Sequence, residues 1–141
     1  MADYASYIHF PDIKGESTDV SHLHWIEVFD YYFGDKQVSP SGLGTAAAGR
    51  GENTFSIVKK VDTTTPRLVS AAINGDHLPL VEFAIVEKLT GTGQGRTRTV
   101  SELHFDDVIV GNVFPGGPPP PGMIPVEQVR LHFKKVTAIP H

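Results

Sequence analysis

The segment "WIEVFDYYF", Trp25 to Phe33, decides the fold class. Phe29, Tyr31 and Phe33 recur at period two, and Ile26, Val28, Asp30 and Tyr32 alternate with them. Successive side chains of a strand point to opposite faces, so this alternation of aromatic and β-branched residues predicts a strand. The same texture continues in "TFSIVKKV", Thr54 to Val61, and in "VEFAIVEKL", Val81 to Leu89. "TVSELHFDDVIVGNVF" and "VEQVRLHFKKVTAI" complete the strand set. In the last of these, Val129, Leu131 and Phe133 alternate with Arg130, His132 and Lys134, which predicts one buried face and one wet face. One segment breaks the pattern. "TTTPRLVSAAINGDH" predicts a helix over Pro66–Asn74, with Thr65 as N-cap and Pro66 where a missing N–H costs nothing. Leu68, Val69, Ala72 and Ile73 give it an apolar stripe, and Gly75 supplies the stop.

Between these elements lie three loops. Gly34 to Asn53, "GDKQVSPSGLGTAAAGRGEN", is long and rich in small residues; loops of that length inside a domain are uncommon and usually functional. "TGTGQGRT" reads as a hairpin connection, and "FPGGPPPPGMIP", Phe114 to Pro125, as a stiff polyproline-like loop. There is no repeat at solenoid periods, and the 141 residues read as one domain able to bury a core. No apolar run is long enough for a membrane span. The start "MADYASYIHF" lacks the basic and apolar stretches of a Sec-type signal, so synthesis in the cytosol is expected. The absence of cysteine excludes disulfides and thiolate chemistry. A net charge of -4 argues against nucleic acid as partner. The pairs Lys59-Lys60 and Lys134-Lys135 read as solvated strand edges or interfaces.

Several groupings resemble chemistry without its geometry. Ser17, Asp19, His22 and His24 crowd into "GESTDVSHLHW", but a nucleophile elbow needs G-x-S-x-G leading into a helix, and neither is present. The crowding reads instead as a polar turn before the aromatic strand. His22 and His24 would share a face if they lay in a strand, yet His9, His77, His104, His132 and His141 are scattered and spacing places no third ligand. "GLGTAAAGRG" lacks the GK[ST] of a phosphate loop and the helix of a dinucleotide loop. Asp106 and Asp107 are neighbours in a strand pattern and so point apart. Pro118–Pro121 reads as structural because a strand resumes at Val126. No catalytic residue, metal site or cofactor is predicted.

Taken in order, Phe10, "DIKGES", His22, "IEVFDYYFG", the Gly-rich loop, "VDTTTPRLVSAAINGDHLP" and a late "V.L.F" strand resemble the Hcp family, the haemolysin-coregulated proteins of the type VI secretion inner tube. The resemblance runs from about Tyr7 to Phe133. It implies a mainly β, tail-tube-like fold: a compact β-barrel of two antiparallel sheets with one short helix beside it. It also implies a non-enzymatic role. Hexameric rings would stack into a tube, hold effectors in the lumen, meet the sheath and spike proteins, and leave the cell without a cleaved signal. By the same resemblance, Gly34–Asn53 is an arm reaching a neighbouring subunit or ring. Gly42, Leu43, Gly44, Ala46, Ala47, Ala48 and Gly49 would make its close contacts and Arg50 would anchor it by charge. Asp30 and Tyr32 would face the lumen, with Phe29, Tyr31 and Phe33 filling the barrel. Two features depart from the family pattern: the ending "VTAIPH" in place of a tyrosine-containing segment, and the Pro-rich loop. Other readings are a tail-tube subunit of a related contractile injection system, or a monomeric small-ligand barrel with the Gly-rich loop as lid.

Overall fold

The alternating segments form strands in the computed structural model, which describes residues 3–34, 53–88 and 97–141. The elements are β1 (Asp3–His9), β2 (Ile26–Val28), β3 (Asp30–Phe33), β4 (Thr54–Lys60), α1 (Thr65–Asn74), β5 (His77–Lys88), β6 (Thr97–Pro115), β7 (Val126–His132) and β8 (Lys135–Ile139). The mainly β architecture with one short helix is as expected. The hydrogen-bonded ladder, however, is one antiparallel sheet in the order β2-β1-β5-β6-β7-β4-β3, with β8 also on β6, rather than two sheets. Register shifts in β5 at Ile85/Val86 and in β6 at Val110/Asn112 let long strands bend without leaving the ladder.

The predicted single strand Trp25–Phe33 divides. β2 pairs with β1, through Ser6↔Val28 to Ile8↔Ile26, whereas β3 pairs with β4, through Asp30↔Val58 to Phe33↔Phe55. Phe29 joins them and donates its N–H to the Val58 carbonyl at 2.7 Å. The two ends of an unclosed ladder therefore belong to one short stretch of chain. The segment read as "VEQVRLHFKKVTAI" divides similarly: β7 pairs with the later part of β6 and β8 with Glu102–Asp106.

The interior is packed. Phe55, Phe83, Phe105 and Phe133 are buried, with ring centroids of 5.1 Å for Phe55–Phe83, 4.8 Å for Phe55–Phe105 and 4.9 Å for Phe105–Phe133. The helix contributes Leu68 and Ala71 to the core, while Ile73, expected on the apolar stripe, is 78% exposed. Gly75 ends the helix at φ 65°, a left-handed conformation that favours glycine.

Lys59 corrects the sequence reading most sharply. Phe55, Ile57 and Lys59 share one face of β4 by the period of two, and that face is the core. The side chain is completely buried. Its ammonium donates to Glu127 Oε2 at 2.6 Å, Asp62 Oδ1 at 3.1 Å and the Lys60 carbonyl at 2.8 Å. Thr65 Oγ1 donates to Glu127 at 2.7 Å and accepts the Asp62 N–H at 3.1 Å, which ties the network to the start of α1. Lys60 does lie at the surface, 2.9 Å from Glu16.

The strip between β1 and β2 is shaped by Gly15. Gly15 N–H donates to the His24 carbonyl at 2.7 Å, and Ser17 N–H to the Trp25 carbonyl at 2.9 Å. A Cβ on Gly15 would stand 2.4 Å from the Trp25 carbonyl oxygen and 2.7 Å from Ile26 Cγ1. Only a residue without a side chain allows "DIKGES" to lie against the entry to β2.

Lys59→Ala leaves two buried carboxylates uncompensated and is expected to cost about 3–5 kcal/mol in urea unfolding; near-wild-type stability would contradict the buried network. Gly15→Ala forces backbone apart and is expected to cost about 1–3 kcal/mol by the same measurement. Burial alone would raise the Asp62 pKa, but hydrogen bonds from Thr64 and the Lys59 ammonium outweigh it and hold the carboxyl below its usual range. A depressed folded pKa adds stability that is present above the unfolded value and lost as pH falls through the folded one. Unfolding free energy should therefore decline on acidification through the lower carboxylate range, with a shallower decline in Asp62→Asn.

Candidate assembly surface

The cluster that most resembles an active site is built as a turn. Asp19 begins a short 3-10 turn over Val20–His22, and His22 Nδ1 lies 2.8 Å from Asp19 Oδ2. Thr97 Oγ1 donates to the other Asp19 oxygen at 3.1 Å. Ser17 Oγ accepts the Asp19 N–H at 3.1 Å, so the hydroxyl serves the backbone. The buried His22 ring stacks on Tyr7 at 5.5 Å and meets Trp25 edge-on at 4.6 Å. His24 is exposed, with φ 66°, outside any strand. The two histidines therefore do not share a strand face as the alternation suggested. Tyr7, Glu16, Ser17, Asp19, Glu27 and Lys60 line a polar pocket of about 240 Å³ here. The Tyr7 phenol is pushed above its usual pKa, first by burial and then by the Asp19 and Glu27 carboxylates.

The apolar surface lies where β2 passes into β3. Phe29, Tyr31 and Phe33 are 48%, 38% and 53% exposed. They were expected to fill the barrel, and they do so only in part. Tyr31 touches Phe83 at 4.8 Å and Phe33 touches Phe55 at 5.0 Å, so each ring lids the core with one side and shows the other to solvent. Beside them, Tyr4, Ala5, Ser6, Val28, Phe29 and Ile85 are among the residues lining an open groove of about 310 Å³. The groove exists because β2 pairs β1 only at Ser6–Ile8 before the chain crosses to β4. Tyr4, 63% exposed, was not singled out from the sequence, where the alternation around it is weak.

Asp30 and Tyr32 share the β3 face opposite the exposed rings and are half-buried. Gly42, Leu43, Gly44, Ala46, Ala47, Ala48, Gly49 and Arg50 lie outside the described residues. The two feet of their segment are described. Gly34 N–H donates to the Thr54 carbonyl at 2.7 Å, and the Asn53 carbonyl accepts the Phe133 N–H at 3.0 Å. Both feet thus leave from one end of the β3–β4 pair. The Pro-rich loop joins β6 to β7 and is closed at its base by Gly116 N–H on the Val126 carbonyl at 2.9 Å. Met123 and Ile124 stand exposed on it.

Residues 7–139 match the family model for "Type VI secretion system effector, Hcp". Among solved structures, the chain resembles the crystal structure of Hcp1 from Salmonella typhimurium at 25% identity and a TM-score of 0.71, covering 96% of this chain and 84% of that one. It also resembles a structure described as that of a type six secretion system protein, at 26% identity and a TM-score of 0.72, covering 96% and 83%. A type VI secretion system effector from Yersinia pestis shares the fold at 24% identity and a TM-score of 0.66, covering 94% and 87%. No curated protein matches the chain.

Proposed function

Because the chain belongs to the Hcp family of type VI secretion proteins, we propose that it is a tube subunit whose hexameric rings stack, hold effector proteins in the lumen and are exported when the sheath contracts. The match across residues 7–139 carries this reading. The surface agrees with it. A band of half-exposed aromatics beside an open groove suits burial against a second copy, because large rings anchor interfaces at low entropic cost. A heterologous contact that closes makes a ring, and stacked rings make a tube without a new fold.

In this reading, Phe29, Tyr31 and Phe33 sit at a contact between subunits, and Asp30 and Tyr32 look toward the lumen. The arm from residue 42 to 50 reaches the adjacent ring, its small residues permitting close backbone approach. Self-association comes first, followed by sheath, spike and effector contacts. No catalytic role is assigned. The chain is made in the cytosol and passes out through the apparatus. The closely packed phenylalanine interior disfavours a small-ligand barrel.

Electron microscopy of the purified protein should show six-fold rings, with a solution mass of six chains by light scattering. A monomer throughout the micromolar range would overturn the proposal. Deletion of Gly42–Gly49 should leave rings intact but weaken their stacking, and unchanged tubes would remove the arm from that role.

A further inference from the structure

Histidines scattered in the sequence converge on one patch of the sheet. His9 on β1 is the register partner of Glu82 on β5, and Glu82 is the partner of His104 on β6. Glu102, two residues before His104 on the same strand, lies on the same face by the period of two. His141, beyond β8, reaches back to it. The result is a patch of alternating imidazole and carboxylate carried by three rigid strands.

We propose that Glu82, Glu102 and His104 form a binding site for a divalent transition-metal ion of the zinc class. His104 Nε2 lies 2.6 Å from Glu102 Oε2 and 3.7 Å from Glu82 Oε2. One donor atom from each residue falls within 4.8 Å of the other two. Zinc bonds oxygen and imidazole nitrogen at about 2.0–2.2 Å, which sets tetrahedral donors about 3.4 Å apart. The two separations from His104 Nε2, 2.6 and 3.7 Å, lie on either side of that spacing.

The surrounding groups orient the donors. His9 Nδ1 holds Glu82 Oε1 at 3.2 Å, and His141 Nε2 holds Glu102 Oε1 at 2.8 Å. Each carboxylate thus has one oxygen engaged by an outer histidine and the other directed to His104, the arrangement by which outer groups position metal ligands. The three ligands are half-buried, which limits competition from water while leaving access. Two carboxylates and a neutral imidazole carry two negative charges, matching a divalent cation, and this mix of donors suits zinc, copper or nickel better than calcium or magnesium.

The test is zinc titration of the full chain, free of any histidine tag, in competition with a chromophoric chelator. The expected result is one ion per chain, with affinity weakened about tenfold or more by His104→Ala and by Glu102→Gln. His77→Ala serves as control, because His77 pairs with Asp107 elsewhere on the sheet. His141→Ala alters no strand and should weaken binding by a smaller factor, which keeps the test available if His104→Ala fails to fold. Zinc should also raise the melting temperature of the wild type and not that of Glu102→Gln. Absence of uptake, wild-type affinity in Glu102→Gln and His141→Ala, or equal weakening by His77→Ala would overturn the proposal.

Discussion

The ammonium of Lys59 is the constraint on which the fold turns. A fully buried charge needs partners, since desolvation without pairing costs more than any one-residue contact restores. Its partners come from separate places: Glu127 from the neighbouring strand, Asp62 and the Lys60 carbonyl from the turn that leaves β4. Satisfying them fixes the β4–β7 register, with Lys59 opposite Glu127, and fixes the path of the chain into the helix. Thr64 and Thr65 then complete the coordination as the first helical turn is laid down. A single side chain thereby coordinates a strand pair, a turn and a helix start.

Much of this was legible in the sequence. Period-two alternation located the strands, and proline at the start with glycine at the end located the helix, because both signals are local. What the sequence left hidden was non-local. The run Trp25–Phe33 has uniform alternation, and nothing in it marks Phe29 as the point where the pairing partner changes; that depends on where β1 and β4 end up. Lys59 was readable in principle, since it continues the Phe55–Ile57 face, but a charged doublet suggests water more strongly than periodicity suggests burial. The convergence of His9, Glu82, Glu102 and His104 is a product of register, invisible until the strands are aligned.

The stretch from Gly15 to His22 shows how a cluster of reactive residue types arises for structural reasons. The chain must double back between β1 and β2 while lying against the entry to β2. Glycine permits the close approach, serine accepts an amide in the turn, aspartate holds the His22 ring, and that ring fills a slot between Tyr7 and Trp25. Gly15, Ser17 and His22 are among the residues that carry the family resemblance. Their physical role is to guide the chain into the half-exposed aromatic band of Phe29, Tyr31 and Phe33.

The split at Phe29 has a mechanical side. The sheet resembles a strip rolled on itself and fastened by its own thread: covalent backbone, rather than a row of hydrogen bonds, spans the seam. To unroll it, a force must first peel the three residue pairs that hold one end of the thread to β1 or the four that hold the other end to β4. A seam of that kind leaves a groove open along its length and yet resists being spread apart, so the same few residues that line the opening also keep the wall from giving way.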